Sequence, residues 1–441
     1  MDTNMLSRWA GYAGSLLLCL LLVPVAHAMQ PIQHWVTDNG VRAYFVPAPE
    51  LPMVDITVTF AAGSVRDGDH PGLANMTSTL LDKGAAGLSA DEIASRIESL
   101  GASLTTSAAR EMATVSLRSL SDRSYLDPAL VVFTDVITRP NFDVKDFERE
   151  QQRKLVGIRR SEQSPSRVAG YRFYQSVFAD HPYAHRVSGT EDSVKALKLD
   201  AVKAFYKRFY VAKNAVVSIV GDLDRKAAEA LVQQVTGGLP KGSRAASLPP
   251  VKVLEVAKEE RISHPSTQTH VRMGAPGMHR GDADYFALYV GNHVLGGGGL
   301  VSRLHEEVRE QRGLSYSVNS YFNPMEQDGP YLLSLQTRND QVDEALAVMR
   351  KTLQDFVDKG PTEEELVASK KNITGGFPLR IASNSGIGSY LNVIGFYDLP
   401  LDFLDTYNDK VMAVTREQII DAYQRRVTPE TMVTVVVGGE S

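Results

Sequence analysis

Cysteine is almost absent: the 441-residue chain has one, Cys19. A lone thiol excludes a disulfide framework and a cysteine-based metal site. A basic surplus is missing as well. With 47 Lys and Arg against 52 Asp and Glu, the formal net charge is -5, so the chain lacks the excess positive charge that displaces counterions from phosphate. That argues against a nucleic-acid partner. Past residue 28 no apolar run approaches the roughly 20 residues that span a bilayer. Hydrophobic residues at 43% and charged residues at 22% exclude an acidic, disordered solvating chain, which buries too little apolar surface to fold.

What is there begins with a leader. Arg8 gives a weakly basic start, Leu16 to Val23 is an unbroken apolar core, and Ala26-His27-Ala28 is a small-x-small cleavage site. Residues 1–28 thus read as a secretory signal peptide cut after Ala28. Pro24 ends an apolar stretch too short for an anchor, and Leu18 before Cys19 is too bulky for a lipidation site. Cleavage removes the only cysteine. The expected product is a soluble exported protein with no membrane span, and the periplasm is the expected compartment.

Residues 237–250, rich in Gly and Pro at both ends and without apolar periodicity, read as a linker between similar halves, 29–236 and 251–441. Ala204-Phe205-Tyr206 leads through a short turn to the apolar strand Ala215–Val220 and Gly221; Ala422-Tyr423-Gln424 leads likewise to Met432–Val437 and Gly438. Paired amphipathic helices precede each: Leu126 to Thr138 then Asp143 to Ile158, and Val342 to Val357 then Thr362 to Ile373. Ser89-x-x-Glu92 and Thr362-x-x-Glu365 are capping boxes. Ala102–Leu120 and Leu314–Arg338 alternate as antiparallel strands do. The expected fold is α+β: two homologous domains, each a mostly antiparallel sheet covered on one face by helices.

Common catalytic motifs are missing. His-Glu occurs only at His305-Glu306, followed at the fifth position by Arg309, and Glu-His occurs nowhere. Neither forward nor inverted zinc-peptidase helices are therefore intact. A Gly-x-Ser-x-Gly elbow is absent. His181-Pro-Tyr-Ala-His185 has imidazoles four apart but no carboxylate between them, and Pro182 points to a structural turn. The run Gly296–Gly299, between helical segments Tyr285–Leu295 and Ser302–Glu310, lacks the Gly-Lys-Ser/Thr ending of a phosphate loop. Arg309 and Tyr316 stand seven apart across a helix–Gly313–strand corner. Spacing places Leu314, Tyr316 and Val318 on one strand face and is compatible with simple packing.

Two stretches, Leu295-Gly-Gly-Gly-Gly-Leu-Val-Ser-Arg-Leu304 and Val308-Arg-Glu-Gln-Arg-Gly-Leu-Ser-Tyr-Ser-Val318, resemble the second-half signature of the insulinase/pitrilysin (inverzincin) peptidase family. Ala62-Gly63-Ser64, Gly72-Leu73-Ala74, Lys83-Gly84, His181-Pro-Tyr183 and Val220-Gly221-Asp222 fit the first half. The likeness runs through residues 30–441 and is nearest the short two-half members, which include mitochondrial processing peptidase subunits and bacterial two-chain zinc peptidases.

In active members the helix after Gly-Leu-Ala reads His-x-x-Glu-His, and a later Glu completes the zinc site. Here that run is Asn75-Met-Thr-Ser78-Thr79, and the resemblance places the distal Glu at about Gly157. The chain is accordingly expected to bind no metal itself. The resemblance keeps the other half of the site, since active single-chain members carry an Arg and a Tyr seven apart that face the zinc and bind the substrate carbonyl. Arg309 and Tyr316 match that pair, and Gly297 and Gly298 lie where processing-peptidase subunits carry a glycine-rich substrate loop. The implied role is a non-catalytic, substrate-binding subunit of a periplasmic zinc endopeptidase acting on peptides or unfolded proteins. Its heterodimer partner would be a family member with an intact His-x-x-Glu-His helix holding the zinc. The rival is a peptide-binding or scaffold protein that has lost peptidase function.

Overall fold

The computed structural model describes residues 30–439, so the leader read over residues 1–28 lies outside the described residues. The first half opens with β1 (Gln33–Val36), β2 (Arg42–Pro47) and β3 (Met53–Phe60), then α1 (Leu73–Leu80) and α2 (Ala90–Ser99). It continues with β4 (Ser103–Ala108), β5 (Ala113–Leu120), α3 (Arg123–Thr138), α4 (Val144–Glu162), α5 (Pro165–Phe178), α6 (Leu199–Phe209), β6 (Ala215–Gly221) and α7 (Arg225–Thr236). The second half repeats the plan with β7 (Lys258–Ile262), β8 (Gln268–Met278), α8 (Tyr285–Asn292), β9 (Ser317–Phe322), β10 (Gly329–Arg338), α9 (Val342–Lys359) and α10 (Glu363–Arg380). It closes with α11 (Asn384–Phe396), α12 (Tyr407–Ala413), α13 (Arg416–Arg426) and β11 (Val433–Val437).

The six-stranded sheet runs β1-β2-β6-β3-β5-β4 and the five-stranded sheet β7-β11-β8-β10-β9. Apart from the extra edge strand β1, the orders correspond strand for strand. In each sheet one pair is parallel, β2 with β6 and β7 with β11, and the rest antiparallel. This is the α+β duplication read from the sequence. The helices begin where the sequence caps them: Ser89 and Thr362 each accept the N3 backbone N–H while Glu92 and Glu365 reach back, satisfying otherwise orphaned amides. The His181 region is a short 3₁₀ turn (Pro182–Ala184), with His181 bonded to the Tyr183 N–H and at 2.9 Å to the Pro249 carbonyl. It is the structural loop that Pro182 implied.

Each sheet's second face is covered by a helix from the other half. The α5 helix packs on β8 and β11, and α11 packs on β6, β3 and β2. The apolar cluster holding Val168, Phe173 and Val177 of α5 also contains Val433, Val435 and Val437 of β11. Gly395 lets α11 approach β2, because a Cβ there would meet the Tyr44 ring at 2.7 Å. Residues 237–250 carry no helix or strand, yet they are fastened. Leu248 is buried and its N–H donates to Glu326, while Ala245 N–H donates to Asn214. From Ile32 onward the two halves form one unit. Among the described residues no helix is long and apolar enough to cross a membrane.

Candidate functional site

The helix that would carry the zinc ligands is α1. Its start is set by Gly72 at φ 97, a left-handed conformation that suits glycine. The Asp67 carboxylate, 2% exposed, accepts the Gly72 and Ala74 N–H groups at 2.7 Å each. Burial outweighs those hydrogen bonds and pushes Asp67 up to about 7.

Asn75 and Thr79, one turn apart, point at α4, and the side chain that meets them is Lys154. Its ammonium donates to Asn75 Oδ1 and, at 2.8 Å, to Thr79 Oγ1. Burial pulls Lys154 down to about 8. Gly157, where the resemblance put the distal Glu, lies almost one turn further on, exposed and with open space beside it. The position facing the two former imidazole sites is therefore Lys154, a correction that follows from where α4 crosses α1. Ser78, at the position of the general base, is 1% exposed and its Oγ has no partner.

This donor set does not fit zinc. A structural or catalytic zinc takes thiolate, imidazole or carboxylate ligands, whereas here an amide, hydroxyls and a cation occupy the place. Lys154 stands where the ion would be, and its charge opposes any cation there. Among the described residues one group of possible ligands exists elsewhere, His279, Asp282 and Asp328, but Asp282 is already paired with Arg426.

The second part of the candidate site is built around two wide helical turns. His293–Gly297 and His305–Glu310 are both π-helical, a geometry that recurs at functional sites. Gly296–Gly299 form the corner between them, and close packing explains most of the run. A Cβ on Gly296 would meet Ser320 Oγ at 2.3 Å, one on Gly297 Asn292 Nδ2 at 2.8 Å, and one on Gly298 the His293 carbonyl at 2.7 Å. Leu300 and Val301 beyond the corner are exposed.

Arg309 leaves the second π turn half-buried, with Nη1 2.8 Å from His305 Nε2. A guanidinium only donates, so His305 Nε2 accepts and orients it. His305 is 6% exposed, and its Nδ1 makes no hydrogen bond, with the Glu310 carboxylate 3.7 Å away. Sequence reading met His305 only as a failed motif; its four-residue spacing to Arg309 was the available signal. Gly313 is left-handed, φ 63, as a post-helix glycine should be.

Tyr316 departs from expectation. Leu314 and Val318 are buried, but Tyr316 is 86% exposed. The strand starts only at Ser317, and the Ser315 hydroxyl accepts the Ser317 N–H while donating to the Gln336 carbonyl. This loop of bonds breaks the alternation across Tyr316 and turns its ring outward. Arg309 and Tyr316 thus stand on either side of one corner, the first held by His305 and the second free of the core.

A group the sequence reading missed joins the halves. Glu111, 5% exposed, accepts from the Tyr183 and Tyr397 hydroxyls and, at 2.9 Å, from the Glu326 N–H. Burial raises its pKa against those hydrogen bonds.

Comparison with known proteins agrees with this geometry. Residues 46–191 match the model of insulinase (peptidase family M16), and residues 196–373 match that of the peptidase M16 inactive domain. A crystal structure from Pseudomonas fluorescens, described as a peptidase M16 inactive domain, is 37% identical with a TM-score of 0.90, covering 93% of this chain and 98% of that one. A Helicobacter pylori protein named non-peptidase homolog YmxG is 29% identical over 378 residues, 84% of this chain and 85% of its own. An uncharacterized zinc protease of Streptomyces coelicolor is 29% identical over 390 residues, 86% of this chain and 83% of its own. With the paired sheets, the α1 helix stripped of zinc ligands and Lys154 in their midst, the chain belongs to the insulinase (M16) peptidase family as a non-catalytic member that holds no zinc at the family's metal position.

Proposed function

We propose that this chain is the substrate-binding, non-catalytic subunit of a two-chain periplasmic zinc endopeptidase, whose partner is a family member with an intact His-x-x-Glu-His helix. The observation that carries the reading is the corner of Arg309 and Tyr316. A tyrosine ring is turned out of the core by a dedicated serine bend, beside an arginine steered by a buried histidine. Two donors of that kind, a guanidinium and a phenol O–H, stabilise the oxyanion that develops on a peptide carbonyl when they are preorganised around it. With its own metal position closed by Lys154, this chain has the donors and lacks the nucleophile. A zinc-bearing partner has the complementary need. Gly297 and Gly298, at the corner that precedes the second π turn, would line the peptide's path.

The test is to purify the exported chain from its own cell envelope and identify its stoichiometric companion. A zinc-bearing family member is expected, and peptide turnover by the complex should fall about 100-fold in Arg309→Ala, the scale of one oxyanion donor, and less in Tyr316→Phe. Unchanged turnover in both variants overturns the role of the pair. Recovery as a self-dimer, or with an unrelated companion, would instead favour a scaffold or peptide-binding protein.

A further inference from the structure

The face of the second sheet that α5 crosses holds a polar cavity of about 250 Å³ beside the start of that helix, lined among others by His270, Arg272, Tyr321, Ser334 and Gln336 of the sheet and Ser166 of the helix. Among the described residues no Asp or Glu lines it. Arg272 is half-buried, and its guanidinium bonds to Ser166 Oγ at 3.2 Å and to the Val271 carbonyl at 3.5 Å. Burial lowers its pKa, and the Tyr321 phenol is the one opposing influence. His270 beside it is also lowered, by burial, Arg272 and His264. A desolvated guanidinium is normally matched by a carboxylate, and none of the described residues supplies one here.

Two further features add to the positive potential. The α5 helix is 14 residues long, and its N-terminus lies at the cavity with Pro165 at N1 and no side-chain cap from Ser164. Its dipole therefore presents its positive end. Around the guanidinium stand hydroxyl, amide and imidazole groups able to donate to oxygen.

We propose that this pocket is an oxyanion site, in which Arg272 binds a carboxylate or phosphate group of a ligand. The arrangement suits Arg in particular, whose planar fork meets two oxygens at once. One source of such a group is the free end of a polypeptide, and the other is a small phosphate-bearing molecule.

The test is titration calorimetry on the full chain at constant ionic strength, with inorganic phosphate, a short peptide ending in a free carboxylate, and the same peptide amidated. Phosphate or the free-acid peptide should bind in preference to chloride, at least tenfold more weakly in Arg272→Gln. Binding by the free acid and not by the amide identifies a polypeptide end; binding by phosphate alone identifies a phosphate-bearing ligand. A second variant, Gln336→Glu, places a carboxylate in the cavity and should abolish the response while the fold is kept. No binding beyond that of chloride, or undiminished binding in the variants, overturns the proposal.

Discussion

The two sheets present the same face twice to a helix from the other half, with different chemistry. In the first, Asp55 pairs across to Val220 on one side and to Arg118 on the other. In the second, His270 occupies the matching place, opposite Val437 and Gln336. Two residues on, Thr57 faces Ser218 and Ser116, whereas Arg272 faces Val435 and Ser334. The first face closes its charge internally, since Arg118 grips both Asp55 oxygens at 2.6 and 2.7 Å. In the second, no described carboxylate pairs with the Arg272 guanidinium. Backbone register survived the duplication because one slipped residue would turn every buried side chain outward. On the face crossed by α5 and α11 the polar positions differ between the halves. The same holds for α1, whose buried Leu73, Met76 and Leu80 keep the helix in place while its site-facing positions have no metal chemistry.

The largest expected effect concerns the zinc position. The variant Asn75→His, Thr79→His, Lys154→Glu puts two imidazoles and a carboxylate where one ammonium now holds the helices together. It should bind about one zinc per chain by elemental analysis, where the parent binds none at this position. With Ser78 still at the base position it should not cleave peptides. A variant that stays zinc-free would remove Lys154 from the metal position.

Next in size is the joint between the halves. Glu111→Leu leaves the buried Tyr183 hydroxyl, the half-buried Tyr397 hydroxyl and a backbone N–H without their acceptor, and should cost about 3 kcal/mol in urea unfolding. A loss below about 1 kcal/mol would mean that the network carries little of the contact between halves.

Asp55→Asn would make the first face resemble the second. The ion pair is partly exposed, with Arg118 at 47% and Asp55 at 15%, so the stability loss should be under about 1 kcal/mol. Anion-dependent stabilisation should then appear in a chain that also carries Arg272→Gln. If the double variant ignores phosphate, an unpaired arginine on this face is not enough, and the α5 terminus is the deciding difference.

The last expected effect is a pH slope. Lys154 sits at about 8 in the fold against 10.5 for a free lysine side chain. Between those limits the unfolded chain holds the proton and the folded chain releases it, so the lysine's contribution makes stability rise with pH across that window. Lys154→Met should flatten the rise, measured as the difference in unfolding free energy between the two proteins from pH 8 to 10.5. Identical slopes would place the lysine in water rather than between α1 and α4.

Much of the architecture was legible in the residue order. The duplicated helix-turn-strand endings at Gly221 and Gly438, the capping boxes at Ser89 and Thr362, and the alternating strands are local patterns, and local patterns report local structure. The loss of zinc chemistry was legible too, because it needs only the identity of Asn75, Ser78 and Thr79. Less visible were contacts made across the fold. Lys154 rather than Gly157 reaches α1 because of the crossing of two helices some 75 residues apart, which no residue count resolves to within a turn. Tyr316 faces solvent because Ser315 bonds to Gln336 on the neighbouring strand, and that overrides the alternation its own segment suggests.

By itself, then, the sequence determined which elements form, that they form twice, and that the ligands of a metal peptidase are missing. These follow from side-chain size, polarity and spacing along a short stretch of chain. Only the tertiary structure decided that α5 and α11 each cross to the other half, that an ammonium fills the vacated place, and that Arg272 is left without a carboxylate. Burial and charge pairing depend on what arrives from elsewhere in the chain, and that is known only when the chain has folded.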